Sequence, residues 1–333
     1  MLHRTITRFA LALALGAASL GAASAETLKV SSYLPPNHTF QKMLEQWSAE
    51  LSEKSGGQLS LEIFPAGQLG PAPRQFEMVA EGAVDMAIVL HGSTPGRFPV
   101  TELAGLPLSY PSTGQNSAVT SRRLTELAPE YLAAEHPGTK ILWMAVTPAL
   151  KVHLRSVEPN AIDKFKGLRI RYAGTTWQQI IEALGAAPLP VQPGETADAL
   201  SKGIVDGASF PFEATKSFDL APVVDYSMEP GLASATFAML MNQATFDRLS
   251  PELQKLIDET TGPDRAEAFG AMWDAGEAEG RQYMIDGGVT MTTLPDGEYA
   301  RLRELLAPMT ETALTAVEAA GKPARAFLAA YTE

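Results

Sequence analysis

The sequence predicts an α/β fold built as two similar lobes, with a mostly parallel sheet in each lobe. Strand-like and helix-like segments alternate along the chain, which is typical of parallel sheets covered by helices. A short pattern at residues 81–87 occurs again at residues 202–208. No low-complexity linker separates the two copies, so we expect the chain to cross between the lobes several times.

The predicted elements follow hydrophobic periodicity and the residues that end helices. Before the first copy of the pattern, the sequence predicts strands at 28–32 and 59–64, and helices at 37–55 and 74–81. Later strands are predicted at 84–90, 141–146, 168–172, 237–241 and 289–293, and later helices at 161–165 and 177–184. A further helix starts at Pro251 behind the capping residue Ser250, and Gly262-Pro263 should break it.

The repeated pattern places a glycine where a helix ends, followed by Val-Asp entering an apolar run. Glycine supplies the left-handed turn that closes a helix, so both copies read as helix-to-strand turns. Coincidence of a common turn is the alternative. We predict a first lobe of residues 26–149 plus about 236–275 and a second of 150–235 plus about 276–333, with hinge crossings near 149 and 235.

The first 25 residues have the features of a secretory signal peptide. Arg4 and Arg8 precede an apolar run, and Ala23-Ser24-Ala25 matches a cleavage site. The apolar run is short for a membrane span, although an uncleaved anchor is the alternative. The chain contains no cysteine, which excludes disulfides, a thiol nucleophile and a lipid-modified cysteine. We therefore expect export and a periplasmic location.

The chain is acidic, with a formal net charge of −12. Loss of the leader, which carries two arginines and no acid, would make it more acidic still. Such a charge repels phosphate backbones and argues against a nucleic-acid partner. A site for an anion must therefore be a local basic pocket.

Signatures of enzymes and metal sites are missing from the sequence. It has no Gly-x-Ser-x-Gly elbow, no phosphate-binding loop and no His-Glu-x-x-His motif. His38, His91, His136 and His153 are far apart in sequence. We therefore expect no catalysis, no cofactor and no metal. An exported hydrolase that uses Asp85 and Asp206 remains a rival interpretation, although their place after a helix-ending glycine favours a structural turn.

The segment 164–171 concentrates basic residues at the end of a predicted strand. Side chains alternate along a strand, so Arg169 and Arg171 share one face. Ligands of α/β sheets bind at the carboxyl ends of the strands, where Arg171 lies. A guanidinium binds a carboxylate through two parallel hydrogen bonds. From spacing alone, two solvated basic residues are an equal alternative.

Several motifs together resemble a known family over nearly the whole chain after the leader. They are Pro36-Asn37-His38, Gly56-Gly57, Phe64-Pro65, Gln68-Leu69-Gly70, residues 81–87, residues 95–99, Leu106-Pro107, residues 165–171, Leu184-Gly185-Ala186, Glu195, Ala199-Leu200 and residues 203–207. In this order they resemble the periplasmic solute-binding subunit of the tripartite ATP-independent periplasmic (TRAP) transporters, of the dicarboxylate-binding type. The resemblance implies a two-lobed clamp around an organic acid.

The resemblance also implies which residues bind the ligand. The family's carboxylate-binding arginine falls on Arg171, and a second basic position, often arginine, falls on Lys151. A position that is often asparagine is Phe210 here, and pocket positions that are often polar fall near Tyr33 and Leu90. These departures make the pocket more apolar and predict a monocarboxylate with a hydrophobic or aromatic body.

Three further residues are candidates on weaker grounds. Trp177 would pack against the ligand body, with ordinary core packing as the alternative. His91 follows Leu90 in a strand-end loop, where it would add a hydrogen bond. His153 neighbours the basic segment.

The family implies a mechanism of hinge closure over the ligand, followed by docking on TRAP membrane permease subunits driven by an ion gradient. We expect a monomer. A binding protein that serves an ATP-driven importer or a sensor kinase is the rival within the same class.

Overall fold

The computed structural model describes residues 25–107 and 116–333, so the predicted signal peptide lies almost entirely outside the described residues. The strands are β1 (Glu26–Ser31), β2 (Leu59–Phe64), β3 (Met86–Leu90), β4 (Thr139–Val146), β5 (Lys151–Leu154), β6 (Arg169–Tyr172), β7 (Ala187–Pro190), β8 (Gly207–Phe210), β9 (Tyr226–Glu229), β10 (Thr236–Asn242) and β11 (Thr290–Thr293). The helices are α1 (Thr39–Lys54), α2 (Gln75–Ala80), α3 (Ser117–Leu127), α4 (Thr175–Ala183), α5 (Thr196–Ser201), α6 (Phe212–Ser217), α7 (Gln243–Arg248), α8 (Pro251–Thr260), α9 (Pro263–Asp286), α10 (Asp296–Ala319) and α11 (Ala324–Thr332). None of the helices in this part of the chain is long and apolar enough to span a membrane.

The strands form two sheets, one in each lobe. The first has the order β2-β1-β3-β10-β4 and the second β11-β9-β5-β8-β6-β7. In each sheet one strand, β10 or β5, runs antiparallel to its neighbours, and the other pairs are parallel. Both reversed strands arrive from the other lobe, so they enter their sheet at the end where its other strands finish. The predicted α/β class with two mostly parallel sheets is confirmed.

The repeated sequence pattern forms the same structure in both lobes. Gly82 and Gly203 follow helices α2 and α5 with φ of 76° and 66°, the left-handed region that glycine tolerates. The aspartate three residues later accepts a hydrogen bond from a backbone N–H on the neighbouring strand. Lys29 N lies 2.9 Å from Asp85 Oδ2, and Arg169 N lies 2.8 Å from Asp206 Oδ2. Both aspartates therefore hold strands together, which argues against the hydrolase interpretation.

The two segments that join the sheets pair with each other. The first runs from the end of β4 to the start of β5, and the second from the end of β9 to the start of β10. Leu150 and Ala233 form an antiparallel bridge, and the Thr147 N–H donates to the Ala235 carbonyl over 2.9 Å.

Helix α9 contacts both lobes along its length. Its Asp274 carboxylate accepts a hydrogen bond from the Ser117 N–H at the start of α3 over 2.9 Å. One helical turn later, Glu277 accepts from the Glu213 N–H of α6 over 3.0 Å. The predicted break at Gly262-Pro263 separates α8 from α9.

The C-terminal segment departs from the predicted lobe boundary, which assigned everything after about residue 276 to the second lobe. Leu302 and Leu306, in the first half of α10, are buried in the core of the second lobe. Val317, Phe327 and Tyr331 are buried instead in the core of the first lobe. A 24-residue helix is about 36 Å long, enough to carry the chain from one lobe to the other.

Candidate ligand-binding site

A cavity lined by residues of both lobes lies where the reversed strands enter the two sheets. Its lining residues come from many separate segments of the chain: Tyr33, Leu34, His38, Leu90, Thr147, Leu150, Arg171, Ala173, Pro193, Phe210, Pro211, Glu213, Ala214, Phe218, Ala235, Phe237 and Trp273. Of the predicted site residues, Arg171, Phe210, Tyr33 and Leu90 line it.

Arg171 is held rigidly at the end of β6. It is only 2% exposed. Its Nε donates to the Val191 carbonyl and its Nη1 to the Ser209 carbonyl, both over 3.0 Å, and its guanidinium carbon lies 4.0 Å from the centre of the Phe210 ring. Among the described residues, Nη2 has no hydrogen-bond partner and no carboxylate lies within ion-pair distance. The structure thus presents a fixed cation with a free donor at the cavity.

Among the described residues, no carboxylate forms an ion pair with Arg171. Burial lowers the pKa of the guanidinium to about 9, with a smaller opposing effect of Tyr33, so the group remains a cation at neutral pH. A buried cation without a countercharge is unfavourable, and an anionic ligand removes that cost. The nearby Arg169 behaves differently, because its half-exposed side chain is paired with Asp206 over 2.7 Å.

Tyr33 follows β1 and contributes a polar group to the first-lobe wall. Its hydroxyl has no hydrogen-bond partner among the residues that the structure describes. Burial raises the pKa of Tyr33, while Arg171 lowers it and Glu213 raises it further, so the hydroxyl stays protonated. It is therefore available as a neutral hydrogen-bond donor.

Four aromatic side chains contribute to the remaining wall, together with aliphatic side chains. The ring centres of Phe210 and Phe218 lie 5.6 Å apart, and those of Phe237 and Trp273 lie 5.3 Å apart in an edge-to-face arrangement. Sequence reasoning identified Phe210 alone among these four. Phe218, Phe237 and Trp273 carry no local signal of a site, because buried aromatics on strands and helices have the same pattern in any core.

Lys151 does not line this cavity. Its ammonium group forms a buried ion pair with Glu277 on α9, and it lies 4.9 Å from the centre of the Phe212 ring. The sequence could not reveal this, because the acidic partner is distant along the chain. Trp177 also lies outside the cavity, in the core of the second lobe beside a smaller cleft.

We expect Lys151→Met to affect stability rather than binding. The substitution leaves the Glu277 carboxylate without its cation in a largely buried position, so the free energy of unfolding should fall by about 2 kcal/mol. Urea titration measures this loss, and calorimetry should give a ligand affinity within about two-fold of the wild type. An affinity loss as large as that caused by removing Arg171 would instead place Lys151 in the binding site.

His91 and His153 make internal hydrogen bonds with both ring nitrogens. His91 contacts Thr236 Oγ1 at 3.0 Å and His136 Nε2 at 3.1 Å. His153 contacts Ser227 Oγ at 2.8 Å and the Phe210 carbonyl at 3.1 Å. Neither imidazole has a nitrogen left for a ligand, which differs from the prediction for His91. His153 instead holds the strand that carries Phe210.

Because His153 is buried as a neutral ring, stability should fall in acid. Burial lowers its pKa from 6.5 to about 4, with the Phe210 carbonyl opposing and Lys151 adding to the effect. Below pH 6.5 this imidazole therefore takes up a proton in the unfolded chain, whereas in the folded chain it stays neutral until about pH 4. Between pH 6.5 and about 5.5 this residue should remove about 1 kcal/mol of unfolding free energy.

The measurement compares urea titrations of the wild type and His153→Gln at several pH values. The variant is expected to be less stable at neutral pH and to lose less stability in acid. Parallel pH profiles for the two proteins would contradict the assignment.

The two lobes, their paired crossing segments and the enclosed cation are features of a protein that binds an organic anion between its lobes. The family model described as "Bacterial extracellular solute-binding protein, family 7" (DctP) matches residues 30–315. The chain belongs to this family and is a TRAP solute-binding protein. Members are extracytoplasmic binding subunits that work with membrane permease subunits.

Three solved structures illustrate the similarity. A TRAP solute-binding protein from Rhodoferax ferrireducens T118 with copurified benzoate is 28% identical, with a TM-score of 0.87, over 92% of this chain and 96% of that one. One from Bordetella bronchiseptica with bound mandelate is 30% identical, with a TM-score of 0.84, over 92% and 97%. One from Sulfitobacter sp. NAS-14.1 with bound galacturonate is 20% identical, with a TM-score of 0.76, over 92% and 99%, and shares the fold.

Proposed function

We propose that this protein captures an aromatic monocarboxylate in the periplasm and delivers it, as a monomer, to TRAP membrane permease subunits. The observation that carries the proposal is a single buried guanidinium, unpaired among the described residues, in a cavity whose other walls are formed mainly by aromatic and aliphatic side chains. Arg171 provides the charge, and Phe210, Phe218, Phe237 and Trp273 provide the apolar surface.

The carboxylate would bind the free donors at the Arg171 side of the cavity. Nη2 of Arg171 and the hydroxyl of Tyr33 both belong to residues that line the cavity, and neither has a protein partner among the described residues. Charge-assisted hydrogen bonds from a guanidinium are about twice as strong as neutral ones. Because the protein already holds Nε and Nη1 of Arg171, little side-chain freedom is lost on binding.

The aromatic wall would select the body of the ligand. Burying an aromatic ring contributes roughly 1.5–3 kcal/mol, and favourable ring geometry adds to it. The likeness to the benzoate and mandelate complexes supports an aromatic acid over a sugar acid. A sugar acid would also need hydrogen-bond partners for each hydroxyl, and most of the residues lining this cavity are apolar.

Uptake would follow from lobe closure. The ligand bridges Arg171 of the second lobe and Tyr33 of the first, and closure excludes water from the pair. The paired crossing segments would act as the hinge. The ligand shifts the balance toward the closed form by the difference between its affinities for the two forms.

Calorimetry with the purified mature protein tests this proposal. We expect benzoate or mandelate to bind in the micromolar range or tighter, with galacturonate and succinate at least about ten-fold weaker. Tighter binding of galacturonate than of every aromatic acid would contradict the proposed ligand class while leaving the transporter family unaffected.

A further inference from the structure

Glu213 is a second buried charge in the cavity wall, and sequence reasoning gave it no role. It lies near the start of α6 and is 3% exposed. Its Oε1 accepts hydrogen bonds from the Thr39 N–H, the Thr39 hydroxyl and the Ser217 hydroxyl over 2.8–3.0 Å. Its Oε2 accepts from Trp273 Nε1 over 3.1 Å. These donors fix the carboxylate in position.

The neighbouring His38 does not cancel this negative charge. Its Nδ1 accepts a hydrogen bond from the Phe40 N–H, so the proton of the neutral ring is on Nε2, which lies 3.4 Å from Glu213 Oε2. Burial lowers the pKa of His38 and keeps the ring neutral, although Glu213 opposes the shift.

Glu213 itself is ionised at neutral pH. Burial alone would raise its pKa, but the positive charge that His38 carries in acid and the hydrogen bonds from Thr39 and Trp273 outweigh that effect and hold the pKa below its usual range. Because four donor groups saturate the two oxygens, the carboxylate does not need a cation from the ligand.

We propose that Glu213 determines specificity by excluding a second carboxylate from the cavity. This inference rests on the proposed function and defines the ligand class further. The cavity then holds one fixed cation for the ligand carboxylate and one fixed anion in a wall formed mainly by apolar side chains.

Among the described residues, the rest of the cavity wall supplies no cation that could pair with the second carboxylate of a dianion. Among the described lining residues, Arg171 is the one lysine or arginine. Lys151, the second basic position of the family, is already paired with Glu277. A second ligand carboxylate would therefore be desolvated beside Glu213 without a counterion, where like charges repel strongly.

Three ligands of related shape separate charge from size in the wild-type protein. They are benzoate, benzene-1,3-dicarboxylate and 3-carbamoylbenzoate, in which an uncharged amide replaces the second carboxylate. We expect the amide to bind at least about ten-fold more tightly than the dicarboxylate at neutral pH. Equal weakening of the two would show exclusion by shape and would overturn the inference.

The variant Glu213→Gln tests the residue directly. It removes the charge with little change in volume, so the ratio of amide to dicarboxylate affinity should fall by about ten-fold or more. Overall affinity is expected to drop for all three ligands, because the amide group cannot accept all four hydrogen bonds. An unchanged ratio in a folded variant would overturn the assignment.

The matched control is Glu135→Gln. Glu135 is another buried glutamate, which accepts hydrogen bonds from the Val100 and Thr101 N–H groups, but it does not line the cavity. Its substitution should lower stability and leave the affinity ratio unchanged. If Glu213→Gln does not fold, the comparison of the three ligands in the wild-type protein tests the exclusion of a second carboxylate. Failure of benzoate and mandelate to bind the wild type would reject the proposed function, a result distinct from an unchanged ratio.

Discussion

Replacing Arg171 with alanine is expected to weaken the binding of benzoate by about 100-fold or more. Loss of one partner from a buried, hydrogen-bonded charge pair costs about 2–5 kcal/mol, and each 1.4 kcal/mol is a factor of ten. The described lining residues contain no other lysine or arginine that could take over the carboxylate. Calorimetry at neutral pH measures the loss.

Two further variants distinguish the role of Arg171 from general effects of charge. Arg169→Ala removes a half-exposed arginine two residues earlier on the same strand, and it should change affinity by less than about two-fold, as rim charges do. Arg171→Lys keeps the charge but loses the planar fork, so an intermediate affinity is expected. Near-native binding by Arg171→Ala, with a native circular dichroism spectrum, would remove Arg171 from the site.

Replacing Phe210 with asparagine is expected to weaken aromatic acids far more than small aliphatic ones. The ring of Phe210 lies under the Arg171 guanidinium and beside Phe218, so its loss removes both apolar surface and a cation–π contact. The lost contacts are worth roughly 1.5–3 kcal/mol for a ligand ring, or about 10- to 100-fold in affinity. A small acid such as lactate lacks the ring and should lose only a few-fold.

The comparison of Phe210→Asn with Phe210→Leu separates polarity from the loss of the aromatic ring. Leucine keeps an apolar wall, so it should retain more affinity for benzoate than asparagine does. Equal losses for benzoate and lactate in both variants would argue against a ligand-selecting wall at Phe210.

The architecture was predictable because local sequence signals produce it. The repeated glycine and aspartate at residues 82–85 and 203–206 form matching turns whose carboxylates hold neighbouring strands. Each turn depends on a glycine with positive φ. A signal of this kind is visible in the sequence without tertiary information. The C-terminal lobe assignment failed for the opposite reason, since the direction of the long helix α10 depends on distant packing.

Arg171 was predictable as a site residue, because its place at the end of a strand within a basic motif is visible in one short segment. Its decisive property required the structure: among the described residues, the guanidinium has one donor without a partner and no carboxylate within ion-pair distance. The ion pair of Lys151 likewise required the structure. Only the folded chain shows that Glu277, more than a hundred residues later, neutralises it.

Local sequence patterns were therefore enough to predict the two α/β lobes, the family and Arg171 as a residue of the cavity wall. The tertiary structure alone decided which side chains share the cavity: Phe218, Phe237 and Trp273 join Phe210, whereas Trp177, His91 and His153 do not. It also placed the fixed anion Glu213 in the wall. The physical reason is that charge pairing and cavity shape depend on distances between segments far apart in sequence, and no local pattern encodes those distances.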